Sequence, residues 1–480
     1  MSVVTKSRNT TDMTVGSPLK HLITFAIPLL IGNLFQQLYN MVDSIVVGRY
    51  VGAIALGAVG ACGSMNFLFF SVCMGLGTGV GIIVSQYYGA GEEKKIKETI
   101  ANSVYVLLSA AVAVWILAML FAPSLLRLLQ TPDEMIEHSI AYMRISCCGL
   151  IGIALYNGIA AILRALGDSK TPLYFLIVSS IINVVLDLLF VRVFNMGVQG
   201  VALATIIAQY TSAFACMVYA CAKVPYFRLK KEDLVPKKEI IVQSYKLGIP
   251  VALQNSMIAV SCMVLQGVVN TFGGTVVSAY TIIGRIEQLV QQPYGSLGIA
   301  LTTYAGQNMG AGKLDRVKAG YRKSVMLVLV FSLSLIPVAY LFGEQIIRIF
   351  VDEEPVIELA VKALRINSLG YFALGMIYVP RAALNGCGDT GFAMINGITE
   401  VACRVGYSQI LTRIPFLGAY GIWYTTLATW ITTAIVCVHR YKSGKWRDKS
   451  VVSQKESFFN TENSTEMEPC GQELLECKVS

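Results

Sequence analysis

The stretch ANSVYVLLSAAVAVWILAMLFA, residues 101–122, carries no charged side chain along its whole length. An α-helix needs about 20 apolar residues to cross the hydrocarbon core of a bilayer. A second apolar run, VMLVLVFSLSLIPVAYLF, occupies residues 325–342. Both runs predict membrane-spanning helices, because a spanning β-barrel would show short segments of alternating polarity instead.

The whole chain shares this composition. Of its 480 residues 55% are hydrophobic and 14% charged, and the mean hydropathy is +0.61. A soluble protein would carry about a quarter charged residues. The predicted spans lie near residues 20–42, 52–80, 98–121, 137–161, 171–192, 197–222, 244–270, 276–306, 320–342, 358–384, 390–412 and 418–439. The sequence therefore predicts an all-α polytopic membrane protein with about twelve transmembrane helices.

Basic residues concentrate in the loops on one predicted side of the membrane. They are Lys94, Lys95 and Lys97, then Lys223, Arg228, Lys230, Lys231, Lys237 and Lys238, then Lys313, Arg316 and Lys318, and finally Arg440, Lys442, Lys445, Arg447 and Lys449. Cytoplasmic loops carry such an excess, so we expect both termini in the cytoplasm. The net charge of +9 is dispersed over short loops, which does not favour nucleic-acid binding.

Two halves of the chain repeat with an offset of 221 residues. QYYGAGEEKK begins at Gln86 and QNMGAGKLDR at Gln307. The same offset relates LGD (166–168) to CGD (387–389) and MGVQGVALAT (196–205) to LGAYGIWYTT (417–426). Six spans per half give both halves the same orientation, so the sequence predicts two six-helix lobes related by pseudo-two-fold symmetry, with a cleft between them.

This repeat sets the expected domain boundaries. They are an N-terminal tail at 1–17, an N-lobe at 18–222, a charged linker at 223–243, a C-lobe at 244–440 and a polar tail at 441–480. Glycines near the ends of spans two and eight suit tight turns that cap helices. These are Gly89, Gly91, Gly310 and Gly312. Most cysteines lie within apolar spans, which favours small buried side chains over disulfides or a metal site.

Polar side chains form three stripes in the N-lobe. The stripes are Asn33, Gln36, Asn40 and Asp43 on span one, Ser180, Asn183 and Asp187 on span five, and Thr205 and Gln209 on span six. A charge in hydrocarbon costs about 2.5–3.5 kcal/mol, so we expect these faces to converge on an interior pocket. The alternative is a satisfied network between helices, at about 0.6 kcal/mol per hydrogen bond. For the carboxylates we favour function, because two such groups would share a proton or hold a cation.

The second half does not duplicate this pair. The repeat offset maps Asp187 onto Ser408 and Asn183 onto Arg404. Glu400 lies four residues before Arg404, a spacing that favours mutual neutralisation over a role with substrate. Two readings of Glu287 remain open. It could line the cleft and attract a cationic substrate, or pair with an arginine.

The chain resembles the multidrug and toxic compound extrusion (MATE) family. The resemblance rests on NMVDSIVVGRYVGAIALGAVG (40–60), the two Gly-Ala-Gly loops and the block from IINVVLDLLF to MGVQGVALAT (181–205), and it covers residues 18–440. It implies that Asp43, Asn183, Asp187 and Thr205 match the ion or proton site of the family's N-terminal lobe, and that Pro28 matches a proline implicated in bending helix one. The missing C-lobe acids place the chain closer to the DinF-like branch.

These observations predict a secondary antiporter of the plasma membrane. We expect it to export amphipathic, cationic small molecules in exchange for H⁺ or Na⁺, as a monomer and without a cofactor or metal. Gln36, Asn40, Ser180, Gln209 and Glu287 are expected to support the site or line the cleft. A lipid-linked saccharide flippase of the same superfamily is the first alternative. It would concentrate arginines in the cleft, where Arg285 and Arg404 are candidates. A membrane-embedded enzyme is the second, but no nucleophile, base or metal motif is found.

Overall fold

The computed structural model describes residues 10–128 and 132–452, which form α-helices and short turns without strands. The helices are α1 Pro18–Val46, α2 Ala53–Ala90, α3 Glu93–Leu128, α4 Asp133–Cys148, α5 Leu150–Ala165, α6 Lys170–Leu188, α7 Gly197–Lys223, α8 Lys238–Asn270, α9 Gly274–Gly310, α10 Leu314–Leu341, α11 Gly343–Arg348, α12 Glu354–Gly386, α13 Gly391–Leu411 and α14 Gly421–Lys442.

These helices make twelve spans in two lobes of six. Helices α4 and α5 form one span with a bend of 44°, and α11 is a short helix between spans. Judged by length and apolar composition alone, eight helices in the described ranges could cross a membrane, or nine if the bent pair counts as one span. Helices α9, α12 and α13 complete the set. They carry ionic and amide side chains within otherwise apolar helices, which lowers their hydropathy.

Three predicted boundaries are wrong. Span four is not one helix over 137–161, because it bends at Gly149. A Cβ there would lie 2.8 Å from Oε1 of Gln209 and 3.1 Å from the carbonyl oxygen of Ser146, so a larger side chain would be crowded, and glycine is a common site of helix bends. Helix α2 continues ten residues past the expected end of span two, to Ala90, and α8 begins at Lys238 within the expected linker.

The glycines of the repeated Gly-Ala-Gly motif play two different roles. Gly91 and Gly312 follow the helix ends with φ angles of 75° and 70°, as expected for caps. Gly89 instead lies inside α2, so a turn role for it is wrong, and Gly310 is the last residue of α9, two residues before Gly312. A Cβ on either would overlap the main-chain carbonyl of the opposite helix. Glycine is required here because the two backbones touch where α2 and α9 cross.

Two equivalent glutamines connect the lobes at this crossing. Nε2 of Gln86, on α2, donates to the carbonyl of Gly386 in the C-lobe at 2.9 Å. Nε2 of Gln307, on α9, donates to the carbonyl of Ala165 in the N-lobe at 2.9 Å. The two donors, Gln86 and Gln307, are 221 residues apart, and so are the two acceptors, Ala165 and Gly386, which is the offset of the repeat. The pseudo-two-fold axis therefore passes between these two hydrogen bonds, which we call the glutamine latch.

The same glutamines hold the segments that flank the lobes. Oε1 of Gln307 accepts from the amide of Met13 at 2.9 Å, and Oε1 of Gln86 accepts from the amide of Val451 at 2.6 Å. Trp446 is buried beside them. Residues 10–17 and 443–452 of the expected tails thus pack against the lobes. The rest of those tails, residues 1–9 and 453–480, lies outside the described part of the chain.

The lobes pack together at the end of the molecule that carries both tails and separate toward the other end. Near the latch, apolar clusters mix the lobes, as where Ile82 and Ile83 pack against Leu247. At the far end one cluster runs from Val46 to Ala202 and another from Leu265 to Trp423, and neither contains residues of the opposite lobe. The cleft therefore opens away from the latch.

The crossing predicts a difference between two glycines of α2. In Gly89→Ala the added methyl would push against the Gln307 carbonyl, an overpacking that costs about 1–3 kcal/mol. In the matched control Gly63→Ala the methyl meets no heavy atom within 4 Å, and alanine favours helix by about 1 kcal/mol. Thermal unfolding of the purified protein should therefore begin at a lower temperature for Gly89→Ala and not for Gly63→Ala. Equal transitions would contradict the close crossing.

The glutamine latch predicts a shift in conformation when it is removed. Gln86→Leu with Gln307→Leu deletes both donors, so the latch end should spend more time open. Spin labels on Lys94→Cys and Asp315→Cys, in a background without exposed native cysteines, would report the distance between the lobes. We expect a longer-distance population in the double variant. The exposed Gln288→Leu serves as the control, and an identical distance distribution in all three proteins would rule the latch out.

Candidate ion and substrate site

Two helix ends bring the carboxylates of the N-lobe together. Asp43 lies one turn before the end of α1, where the helix widens into a π-helical turn at Val47–Val51. Asp187 lies at the end of α6, directly before a second π-helical turn at Leu189–Val193. The two π-helical turns contact each other. Such turns occur often at functional sites, because the extra residue reorients the neighbouring side chains.

The carboxyl groups of Asp43 and Asp187 lie within hydrogen-bonding distance of each other. Asp187 is completely buried and Asn183 is 1% exposed. Within the described residues, one oxygen of each carboxylate has no hydrogen-bond partner. Two carboxylates at this separation need a proton between them or a cation that both can bind, since two uncompensated charges would repel strongly. The pair is therefore built for a small positive charge.

Neutral ligands surround the pair. In the orientation that satisfies both ends of its amide, Asn183 donates to Oδ2 of Asp187 at 3.0 Å and accepts from the amide of Thr205 at 3.2 Å. The Thr205 hydroxyl donates to the carbonyl of Val201 at 3.0 Å and also contacts the hydroxyl of Tyr39. The structure thus brings together Asp43, Asn183, Asp187 and Thr205. Tyr39 was not among the predicted polar residues.

A cavity of about 290 Å³, the N-lobe cavity, lies beside these residues. Its lining includes Pro28, Asn33, Gln36, Ser180, Asn183, Thr205 and Gln209. Asn40 and Glu287 do not line it, and their expected roles in supporting the site or lining the cleft stay predictions. The cavity reaches along α1 only as far as Tyr39, and Asn40 is exposed beyond it. Asn183 and Thr205 therefore form the wall between the cavity and the carboxylate pair.

The C-lobe neutralises its own charges. Arg404 donates to Glu400 at 3.0 Å, so the ion pair expected from the spacing is present. Glu287 accepts a hydrogen bond from Asn367 and is electrostatically coupled to Arg404. Within the described residues Glu287 forms no ion pair, because its direct partner is the Asn367 amide and Arg404 is paired with Glu400, so both readings of Glu287 stay predictions. Ser408, the counterpart of Asp187, is buried and donates to the carbonyl of Val405 at 2.9 Å.

A second cavity of about 350 Å³, the interlobe cavity, lies between the two lobes. Arg164 of α5 and Arg381 of α12 both line it, and Arg164 also lines the N-lobe cavity. Sequence reasoning missed both arginines and considered Arg285 and Arg404 instead. The available signal was an arginine close before each Gly-Asp motif, within an apolar span.

Comparison with known proteins agrees with this architecture. The MatE family profile matches residues 28–189 and 250–407. "Probable multidrug resistance protein YpnP" of Bacillus subtilis is 30% identical over 450 residues, covering 92% of this chain and 99% of the relative. "Probable multidrug resistance protein YoeA" of Bacillus subtilis is 28% identical over 435 residues, covering 89% and 94%.

Solved structures share the fold. One described as "Outward-facing conformation of a multidrug resistance MATE family transporter of the MOP superfamily" superposes with a TM-score of 0.85 at 24% identity, covering 91% of this chain and 99% of that one. Another, "Crystal structure of MATE in the straight conformation", gives the same values. With the twelve spans, the two lobes and the family profile in agreement, the chain belongs to the MATE (MatE) family of multi-pass membrane transporters, which are not enzymes.

Proposed function

We propose that this protein is a secondary antiporter that exports amphipathic, cationic small molecules in exchange for H⁺ or Na⁺. The coupling site is Asp43 and Asp187, with Asn183 and Thr205 as neutral ligands. The observation that carries the proposal is the contact between two carboxylates inside the N-lobe, beside a cavity. The lack of a second acid at Ser408 supports coupling in this lobe alone and a place in the DinF-like branch.

Binding of the ion changes the attraction between helices. A proton or Na⁺ between Asp43 and Asp187 holds the ends of α1 and α6 together, and its release leaves like charges that separate them. Asn183 bonds both Asp187 and Thr205, and Asn183 and Thr205 line the cavity, so the separation changes the surface that a substrate meets. This difference between the two states is what coupling requires.

Helix α1 is the element that can transmit this change. Pro28 lies inside α1, is buried and lines the N-lobe cavity. Proline removes one main-chain hydrogen bond from a helix, so bending there costs less than elsewhere. Five residues after Pro28 in the same helix, Asn33 donates to the hydroxyl of Ser296 in the C-lobe at 3.2 Å. A bend at Pro28 would move Asp43 and break or remake this contact between the lobes.

The driving force is sufficient for export. One charge that enters down 100 mV supplies about 2.3 kcal/mol, which supports roughly fifty-fold accumulation outside of a substrate that has no net charge. Export of a monocation consumes the same amount against the potential, so its one-for-one exchange is driven by the concentration gradient of the ion. The N-lobe cavity combines apolar side chains such as Leu29, Phe70 and Met74 with amides and hydroxyls, a lining that suits amphipathic molecules. A cationic group on the substrate would be drawn toward the carboxylate pair and would compete with the ion.

The basic loops suggest how the protein sits in its membrane. We propose that both termini are cytoplasmic in a plasma membrane and that the protein works as a monomer. The glutamine latch would then close the cytoplasmic end, and the cleft would open to the outside.

A flippase for lipid-linked saccharides is a second candidate, favoured by the two arginines of the interlobe cavity. The names of the relatives favour the multidrug exporter.

The first test concerns the carboxylates. Asp187→Asn and Asp43→Asn keep side-chain size and hydrogen bonding but remove the charge, so each variant should fold and fail to export a substrate against its gradient. Ser408→Ala, at the equivalent C-lobe position, is the matched control and should transport normally. Export would be measured in inverted vesicles while the H⁺ and Na⁺ gradients are collapsed separately. Normal ion counterflow in the purified Asp43→Asn/Asp187→Asn protein would refute the mechanism.

The second test concerns orientation. Single cysteines at Lys95, Lys231 and Lys313, in a background without exposed native cysteines, should react with a membrane-impermeant maleimide only from the cytoplasmic side. All three positions follow spans that end on the basic side. Labelling of any one of them in intact cells would show that the proposed topology is inverted or that a span is miscounted.

A further inference from the structure

The interlobe cavity carries a positive charge that the coupling mechanism does not use. Arg164 and Arg381 line it from opposite lobes. Among the described residues that line this cavity and the N-lobe cavity, there is no aspartate or glutamate. An arginine within a membrane span is costly, so it is retained where it meets a partner, water or a ligand.

Within the part of the chain that the structure describes, Arg164 has no ionic partner. No carboxylate of the described chain lies within 4 Å of its guanidinium group, and its electrostatic neighbours are Tyr156 and Cys216. Other arginines near the lobe interiors are neutralised. Arg404 pairs with Glu400, and Arg440 donates to both oxygens of Asp389 at 2.8 and 2.9 Å. Arg164 therefore differs from Arg404 and Arg440, which are both neutralised by a carboxylate.

Arg381 is positioned rather than neutralised. Its guanidinium lies 4.7 Å from the centre of the Tyr378 ring, and the Tyr378 hydroxyl donates to Gln291 at 3.2 Å. No carboxylate in the described ranges forms an ion pair with it. Stacking on an aromatic ring fixes the plane of a guanidinium and leaves its edge free to donate to an acidic group.

The neutral lining of the interlobe cavity also suits an acidic ligand. Gln254 lines the cavity, is buried, and its Nε2 has no hydrogen-bond partner within the described chain. A buried amide donor that lacks a partner costs about 1–3 kcal/mol, which a bound acceptor would recover. Asn157, Asn255 and Thr302 add further polar groups to the same lining.

We propose that Arg164 and Arg381 bind the acidic group, a carboxylate or a phosphate, of an amphipathic substrate. This proposal rests on the proposed export function and specifies its substrate class. Because Arg164 lines both cavities, a single molecule can place its acidic group on the arginines and its apolar body in the N-lobe cavity. An amine on the same molecule would face Asp43 and Asp187, so the proposal narrows the cationic substrates of the proposed function to amphipathic molecules that also carry an acidic group.

Direct binding tests the site without transport. The probes are a dansyl-labelled undecanoic acid and a trimethylammonium compound of the same chain and fluorophore, titrated into the protein in phosphatidylcholine nanodiscs. The acid should bind more tightly than the ammonium compound. Arg164→Gln/Arg381→Gln should lower the affinity for the acid at least about ten-fold, because a charge-assisted contact to a guanidinium is lost. Arg164→Lys/Arg381→Lys should retain part of the affinity.

A matched control distinguishes loss of the two cavity arginines from a general loss of positive charge on the protein. Arg192→Gln changes an exposed arginine that lines neither cavity, and it should leave the acid's affinity unchanged. Thermal unfolding of each variant would verify that it is folded. Equal affinities for the acid and the ammonium compound, or an unchanged affinity in the folded Gln or Lys double variants, would overturn the proposal.

Two further arms identify the source of the acidic group and separate this proposal from the function on which it rests. Displacement of the probe by phosphatidylglycerol in the nanodisc, but not by inorganic phosphate, assigns the site to a lipid-derived acid. Displacement by soluble amphipathic acids alone assigns it to substrates from solution, and both results support the site. If acid binding requires the arginines but no export depends on an ion gradient, the antiport proposal fails while the site stands.

Discussion

The contact between α2 and α9 at Gly89 and Gly310 is the constraint from which the rest of the architecture follows. Side chains any larger would keep the two backbones apart, and the glutamine latch could then not reach across. The latch fixes how the lobes meet, and the same glutamines bind the segments at Met13 and Val451. The cleft opens at the opposite end because the close packing is confined to this one.

One repeated scaffold carries two different arrangements of charge. In the N-lobe Asp43 and Asp187 each keep one oxygen without a partner among the described residues, whereas in the C-lobe Glu400 and Arg404 neutralise each other. Removing one partner of a buried ion pair lowers the stability of a protein by about 3–5 kcal/mol. The Glu400–Arg404 pair therefore resists separation and favours a rigid C-lobe. The attraction or repulsion between Asp43 and Asp187 instead depends on whether a proton or another cation lies between them. If the N-lobe pair is the coupling site that we propose, this asymmetry places the ion-dependent movement in the N-lobe and leaves the C-lobe as its fixed partner.

Much of the fold could be predicted from the sequence because hydrophobic length and a constant offset are local signals. The spans, the two lobes and the grouping of Asp43 with Asn183 and Asp187 follow from spacing along helices. The bend at Gly149 was not predicted, since glycine is also common inside unbroken membrane helices and its close approach to Gln209 is visible only in the packed structure. The role of Gln86 was also hidden, because its partner is a main-chain carbonyl 300 residues away. Arg164 went unnoticed because only packing reveals that it lacks a counterion.

The latch has a consequence for how the ends of the chain relate to the working cycle. Met13 and Val451 are held by the same side chains that tie the lobes, so opening at that end must release both flanking segments together. The two segments thus act as ligands of the closed state and stabilise it by whatever free energy their contacts supply. A bulky protein fused directly after Val452 would compete with this contact, and is expected to shift the resting population toward the state that is open at the latch end.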